Sequence, residues 1–228
     1  ELPAVQRNFL KALKEAGKKV VFVNCSGSAI ALLPETKTCD AILQAWYGGE
    51  LGGTAVADVL FGDYNPSGKL PVTFYKSTDQ LPDYENYSMK GRTYRYMSDA
   101  LFPFGYGLSY TKFQVGDARM DKDAMTITVP VSNTGKREGT EVVQVYVRKI
   151  GDTDGPLKTL KAYQRVELKA GQSKDVVLKL DSGAFEFFDP ATNTMRVDSQ
   201  ASYEVLYGNS SRDCDLKKFV LDGVAMNK

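Results

Sequence analysis

Apolar and polar residues follow two rhythms along this chain, and the change falls near residue 114. Before it, Val5, Phe9, Ala12, Leu13 and Ala16 recur at helical spacing, with Pro3 suited to a first turn and Gly17 to a close. This predicts an opening helix. "VVFVN" (20–24) is continuously apolar and of strand length, the pattern of a strand covered on both faces in a parallel sheet. "AILQAWY" (41–47) predicts a second strand, and "LGGTAVADVLFG" (51–62) a helix of small residues ending at Gly62. Helix and buried strand in alternation predict an α/β unit with a parallel sheet.

The pattern then breaks. "DYNPSGKLPVTFY" (63–75) holds Asn-Pro, Ser-Gly and a second proline, all turn signals. From there to Phe113 the chain is rich in Tyr, Pro and Gly, which predicts a long irregular strap. Its end, "FPFGYGLSYTKF" (102–113), gathers Phe102, Phe104, Tyr106, Tyr110 and Phe113 at spacings that fit no helix. Such rings either plug a joint between domains or stack on sugars.

After residue 114 the alternation has period two. Met125, Ile127 and Val129 share one face, as do Val143, Val145 and Val147, on either side of "NTGKREG". "RVELKAGQSKDVVLKL", "ASYEVLYGNSS" and "KKFVLDGVAM" continue the series. Short strands at regular spacing predict an antiparallel sandwich of the immunoglobulin or fibronectin type. The lack of a Cys–Trp–Cys spacing disfavours an antibody-type domain. The expected organisation is an α/β part (1–88), an aromatic strap (89–113) and a β-sandwich (114–228).

Composition narrows the chemistry. The chain has 228 residues, 43% of them apolar, enough for a core. A net charge of +1 gives no basic footprint for nucleic acid, and no apolar run reaches membrane-spanning length. Histidine is absent, which excludes a Ser-His-Asp or Cys-His system and His-ligated zinc within these residues. Cys25, Cys39 and Cys214 are too scattered for a thiolate metal cage and read as buried free thiols. The chain starts at Glu1 with no signal segment and reads as a piece of a longer protein.

"YGGELGG" (47–53) joins a strand to a helix, where α/β sheets bind ligands. Its glycine order departs from the dinucleotide fingerprint, so a nucleotide site ranks last. Trp46 and Glu50 flank the turn. They are the candidate substrate-cleft residues, one a stacking ring and one a carboxylate; the alternatives are a core ring and a helix-start charge. "MKGRTYRYM" (89–97) offers arginines among tyrosines, for sugar hydroxyls or for carboxylates in a strap strand. A retaining glycosidase needs two carboxyls about 5–5.5 Å apart, and no such pair stands out.

Taken together, "AWYGGELGGTAVADVLFGDYNPSGKLPVTFY" and "LFPFGYGLSYTKF" strongly resemble glycoside hydrolase family 3. "LPAVQRNFLKAL" and "NTGKREGTEVVQVYV" resemble the same family. The resemblance implies an N-terminal barrel carrying an aspartate nucleophile, then an α/β sandwich domain, then a fibronectin type III-like domain. It places the acid/base glutamate ahead of the "LPAVQ" helix, so both catalytic carboxylates are expected upstream of Glu1 and none in this chain. The parent is expected to be a retaining exo-β-glycosidase on β-xylosides or β-glucosides of plant polysaccharide, without metal or organic cofactor. "MKGRTYRYM" looks more like the β-xylosidase branch. The resemblance makes the aromatic strap a seam between domains. It implies the carbohydrate substrate and the missing barrel as partners, and a periplasmic or secreted parent. An uncovered sheet edge would be closed by that missing half or by a second copy in a homodimer. The rival reading is a non-catalytic carbohydrate-binding or adhesion module.

Overall fold

The computed structural model describes residues 1–224; the last residues of "KKFVLDGVAM" lie outside that range. Helix α1 (Ala4–Glu15) leads into strand β1 (Val21–Asn24). A one-turn helix α2 (Glu35–Thr38) precedes strand β2 (Ala41–Gln44), and helix α3 (Gly52–Phe61) follows. β1 and β2 pair in parallel, with Val21 opposite Ala41 and Asn24 opposite Gln44. The parallel α/β unit predicted from the sequence is therefore present, as a two-stranded sheet.

Only part of the apolar repeat of α1 faces the sheet. Val5 and Phe9 are exposed, at 76% and 63%. Leu10 and Leu13 of α1, with Leu2 just ahead of the helix, pack with Val20, Phe22, Leu32 and Ile42. The helix is apolar on two sides, and only one meets the sheet. β1 is likewise not covered on both faces, because Val21 is 52% exposed. α3 buries none of its residues. Asp40 fastens this unit: its carboxylate accepts the Val20 amide at 2.9 Å and pairs with Lys19 at 3.1 Å. The amide bond first, then Lys19, depress its pKa to about 2. The folded value lies below the unfolded one. Its stabilisation is thus complete above about pH 4 and is lost as pH falls through about 2. Asp40→Asn is expected to lose stability at neutral pH and to flatten this part of the acid-unfolding curve. Acid titration of Trp46 fluorescence in both proteins checks it.

"MKGRTYRYM" does not run as a strand. It forms a one-turn helix α4 (Thr93–Tyr96), and the rest of the strap is irregular, tied by a bridge between Phe74 and Phe102.

The β-sandwich stands as predicted. Strand β3 (Phe113–Val115) and β4 (Arg119–Asp121) pair along one edge of β5 (Thr126–Asn133). β6 (Gly139–Lys149) and β7 (Thr159–Leu168) pair antiparallel, and β8 (Ser173–Lys179) takes the other edge of β5. A short hairpin of β9 (Phe187–Asp189) and β10 (Thr194–Arg196) precedes β11 (Ser202–Gly208) and β12 (Leu216–Asp222). The two sheets are β12-β11-β6-β7 and the group around β5. Ile127, Val129 and Val131 of one face Val143, Val145 and Val147 of the other, all buried. Full burial stabilises by roughly 1.5–3 kcal/mol per side chain.

The strap joins the two parts. Phe104 stacks on Tyr94 with centroids 4.4 Å apart, and Tyr94 meets Tyr146 of β6 edge-on at 5.8 Å. The Tyr94 hydroxyl accepts the Leu160 amide of β7, and burial raises its pKa. Ser211 donates both its amide and its hydroxyl to the Phe104 carbonyl, at 3.0 and 2.7 Å. Phe104→Ala leaves this stack without its centre. We expect a loss of roughly 1–3 kcal/mol, less than for a fully buried ring because Phe104 is half-buried. A melting curve superimposable on the parent's would contradict the seam.

Candidate functional site at the carboxyl ends of the strands

In a parallel sheet the loops leaving the carboxyl ends gather on one side, which makes that rim the natural ligand site. Here the rim is floored by a polar cluster. Asn24 donates to Gln44 at 2.6 Å and to the Ser26 hydroxyl at 3.0 Å, and Ser26 donates to the Ser28 carbonyl at 2.9 Å. Asn24 and Ser26 are buried, so their mutual bonds fix the loop after β1.

The loop after β2 carries both candidate residues. The strand ends at Gln44, earlier than "AILQAWY" predicts, and Trp46 turns with φ 57°. A bulky residue in that region is strained, by about 1–3 kcal/mol, and persists only where packing holds it. Phe74 supplies that packing: it is 1% exposed, and its ring meets Trp46 edge-on at 6.1 Å. The indole is half-buried. Next, Gly48 turns so tightly that a Cβ would lie 2.8 Å from the Cα of Gly52. Glu50 sits on that turn, exposed, with no hydrogen bond or ion pair among the described residues. The ring is thus anchored inward, and the carboxylate is free.

The buried carboxylates are all engaged by cations. Glu35 accepts from Arg7 at 2.8 Å and Asp189 from Arg196 at 2.8 Å. Glu204 is gripped by Arg148 and Lys218 at 2.9 and 2.6 Å. Glu141 of β6 pairs with Lys69 of the strap at 2.7 Å and accepts the Val142 amide and Asn209 as well. That pair walls a cavity of about 180 Å³ at the seam, lined also by Ser67, Thr111 and Phe113. A carboxylate locked to a cation and to donors is poorly suited to proton transfer. Among the described residues no group of three or more His, Cys, Asp or Glu side chains is placed to hold a metal ion.

The cysteine expectation needs correction in one respect. All three are free, yet Cys25 and Cys214 are exposed rather than buried. Cys25 lies where the sheet ends, and Cys214 in a surface turn, so neither finds core. Cys39 is half-buried, and burial raises its pKa, which keeps the thiol protonated. Sequence reading missed Phe74, which lay among turn signals, and the Lys69–Glu141 pair, whose members are far apart in the chain.

The α/β part bearing the rim loop is thus strapped to a fibronectin-like sandwich. Residues 1–110 match the Glycosyl hydrolase family 3 C-terminal domain, and residues 141–211 a Fibronectin type III-like domain. The chain belongs to glycoside hydrolase family 3. It is 62% identical over 225 residues to a xylan 1,4-beta-xylosidase of Xylanibacter ruminicola, covering 97% of this chain and 26% of that protein. It is 42% identical to a periplasmic beta-glucosidase of Salmonella typhimurium, over 82% of this chain and 27% of the relative. Among solved structures, a beta-glucosidase from Listeria innocua in complex with isofagomine superposes with a TM-score of 0.84 at 30% identity. That match covers 99% of this chain and 34% of the other. The chain thus spans about a quarter to a third of the length of these relatives. Among the described residues no helix is long and apolar enough to cross a membrane.

Proposed function

We propose that this chain is the C-terminal scaffold of a retaining exo-β-glycosidase that acts on β-xylosides before β-glucosides. The carrying observation is the 62% identity, across 97% of the chain, to a relative named xylan 1,4-beta-xylosidase. Retention requires two carboxyls about 5–5.5 Å apart, one as nucleophile and one as acid/base. The ion-paired state of the buried acids supports placing both upstream of Glu1. The chain itself then has no turnover. Its part in the reaction is to shape one wall of the cleft, with Trp46 stacking on the sugar and Glu50 accepting a sugar hydroxyl at the rim. The division into an α/β part to residue 88, a strap to 113 and a sandwich beyond fits this work.

Open apolar surface supports the same reading. Val5 and Phe9 of α1, Val21 of β1 and Phe61 of α3 are exposed, Phe61 at 84%. Upstream polypeptide is the natural cover for these residues, rather than a second copy, since the relatives are three to four times longer. A parent acting on plant polymers works outside the cytoplasm, in line with the relative named periplasmic. The whole-length protein is expected to cleave nitrophenyl β-xyloside with higher kcat/KM than nitrophenyl β-glucoside. A preference for the glucoside would reverse the substrate assignment, and no glycosidase activity would remove the proposal.

One observation favours the rival, a carbohydrate-binding module. Tyr84 and Tyr87 are 93% and 90% exposed, on a loop held by Arg92, which donates to the carbonyls of Ser88 and Asn86 at 3.2 and 2.8 Å. Binding of this chain to insoluble xylan, lost in Tyr84→Ala and Tyr87→Ala, would favour that reading.

A further inference from the structure

Trp46 is the first ring of a series that ends in the β-sandwich. Phe74 meets Trp46 edge-on, and then meets Phe102 edge-on at 6.3 Å. Phe102 stacks on Tyr106 at 5.7 Å with the planes 19° apart. The guanidinium of Arg212 lies over the Tyr106 ring, 4.8 Å from its centroid. Edge-to-face and stacked contacts are directional, so each ring constrains the tilt of the next.

The backbone fixes the same series. The Phe74 amide donates to the Phe102 carbonyl at 2.8 Å, and the Leu101 amide to the Phe74 carbonyl at 2.9 Å. The Leu70 amide donates to the Tyr106 carbonyl at 2.8 Å, and the Gly105 amide to the Leu70 carbonyl at 2.7 Å. Arg212 is placed with equal care. It lies in the turn between β11 and β12, beside Ser211, whose amide and hydroxyl hold the Phe104 carbonyl. Lys158 of the sandwich donates to the Ser211 carbonyl at 2.9 Å. The turn that carries Arg212 is thus registered on the strap.

We propose that the fibronectin-like sandwich sets the orientation of Trp46 through Phe74, Phe102 and Tyr106, with Arg212 as the positioning residue at its far end. Trp46 has a strained backbone and needs an external brace, and Phe74 is the ring that touches it. The sandwich therefore acts on the rim loop through the rings of the strap. The importance of this for sugar rests on the function proposed above; the brace itself does not.

Trp46 is the only tryptophan of the chain, so its fluorescence reports on the brace directly. Arg212→Ala in the full chain is expected to red-shift Trp46 emission and lower its anisotropy. Arg212→Lys, which keeps a cation over the ring, should restore both. Phe102→Leu keeps apolar volume and backbone pairing but removes a ring, and should shift emission further. Phe188→Ala removes an aromatic of the same sandwich that is 54% exposed, and should leave Trp46 unchanged. Unchanged emission and anisotropy in Arg212→Ala would overturn the proposal, whatever Phe102→Leu does. So would an equal shift in Phe188→Ala, which would mark a general loosening. In the whole-length enzyme Arg212→Ala should raise KM several-fold with kcat retained, and Arg212→Lys should recover it. Titration with methyl β-xyloside separates the two readings. If the brace variants move Trp46 in this chain, but sugar quenches the whole-length Trp46→Phe variant as strongly as the unmodified whole-length protein, the brace stands and the rim assignment falls.

Discussion

Gly105→Ala is expected to destabilise the chain by about 2–4 kcal/mol, with the melting midpoint falling accordingly. Gly105 has φ 76°, which already strains an L side chain. Its space is also taken. A Cβ there would lie 2.0 Å from Oε1 of Gln144 and 3.0 Å from the Tyr146 hydroxyl. Gln144 cannot step aside freely, because its amide donates to the Gly105 carbonyl at 3.0 Å and to the Asn209 carbonyl at 2.9 Å. The Tyr146 hydroxyl donates to the same Gln144 oxygen. One methyl group would thus break a buried set of bonds that joins strap to sandwich. Differential scanning calorimetry of the variant checks it. A midpoint within a degree or so of the parent's would mean that the seam yields more easily than its geometry implies.

Lys69→Met is expected to have an effect of similar or larger size, about 3–5 kcal/mol, because it strands the Glu141 carboxylate. The two side chains are 13% and 6% exposed and 2.7 Å apart. The Val142 amide and Asn209 remain as donors, but neither supplies a full charge. The loss should be largely recovered in the double variant Lys69→Met with Glu141→Gln, which removes the anion together with its partner. Urea unfolding of the two single variants and the double gives the coupling between the residues. A Lys69→Met variant as stable as the parent would show that the pair contributes nothing.

Much of the fold could be read from residue pattern because its information is local. Alternation along β5 and β6 names the inward valines without reference to anything distant. The opening helix is equally plain, but not its orientation: with apolar residues on two sides, periodicity alone does not choose between Val5 and Leu10. The sheet it packs on decides, and that sheet has two strands. The strap shows the same limit. Its rings announce buried aromatic surface, whereas their partners Tyr146 and Arg212 lie 42 and 108 residues beyond Phe104, with no sequence period to link them. Trp46 stands out in the sequence as a lone indole beside a glycine turn. Its left-handed backbone and its dependence on Phe74 come from tertiary contact, which overrides propensity.

In the function proposed above, this polypeptide shapes a sugar-cleaving cleft whose reacting acids it does not contain. The most direct test assays the purified 228-residue chain on nitrophenyl β-xyloside and nitrophenyl β-glucoside, beside its Glu50→Gln variant. Neither protein is expected to release nitrophenol above buffer. Turnover by the chain that disappears in Glu50→Gln would contradict it, since the reacting carboxylate would then lie on the rim loop itself.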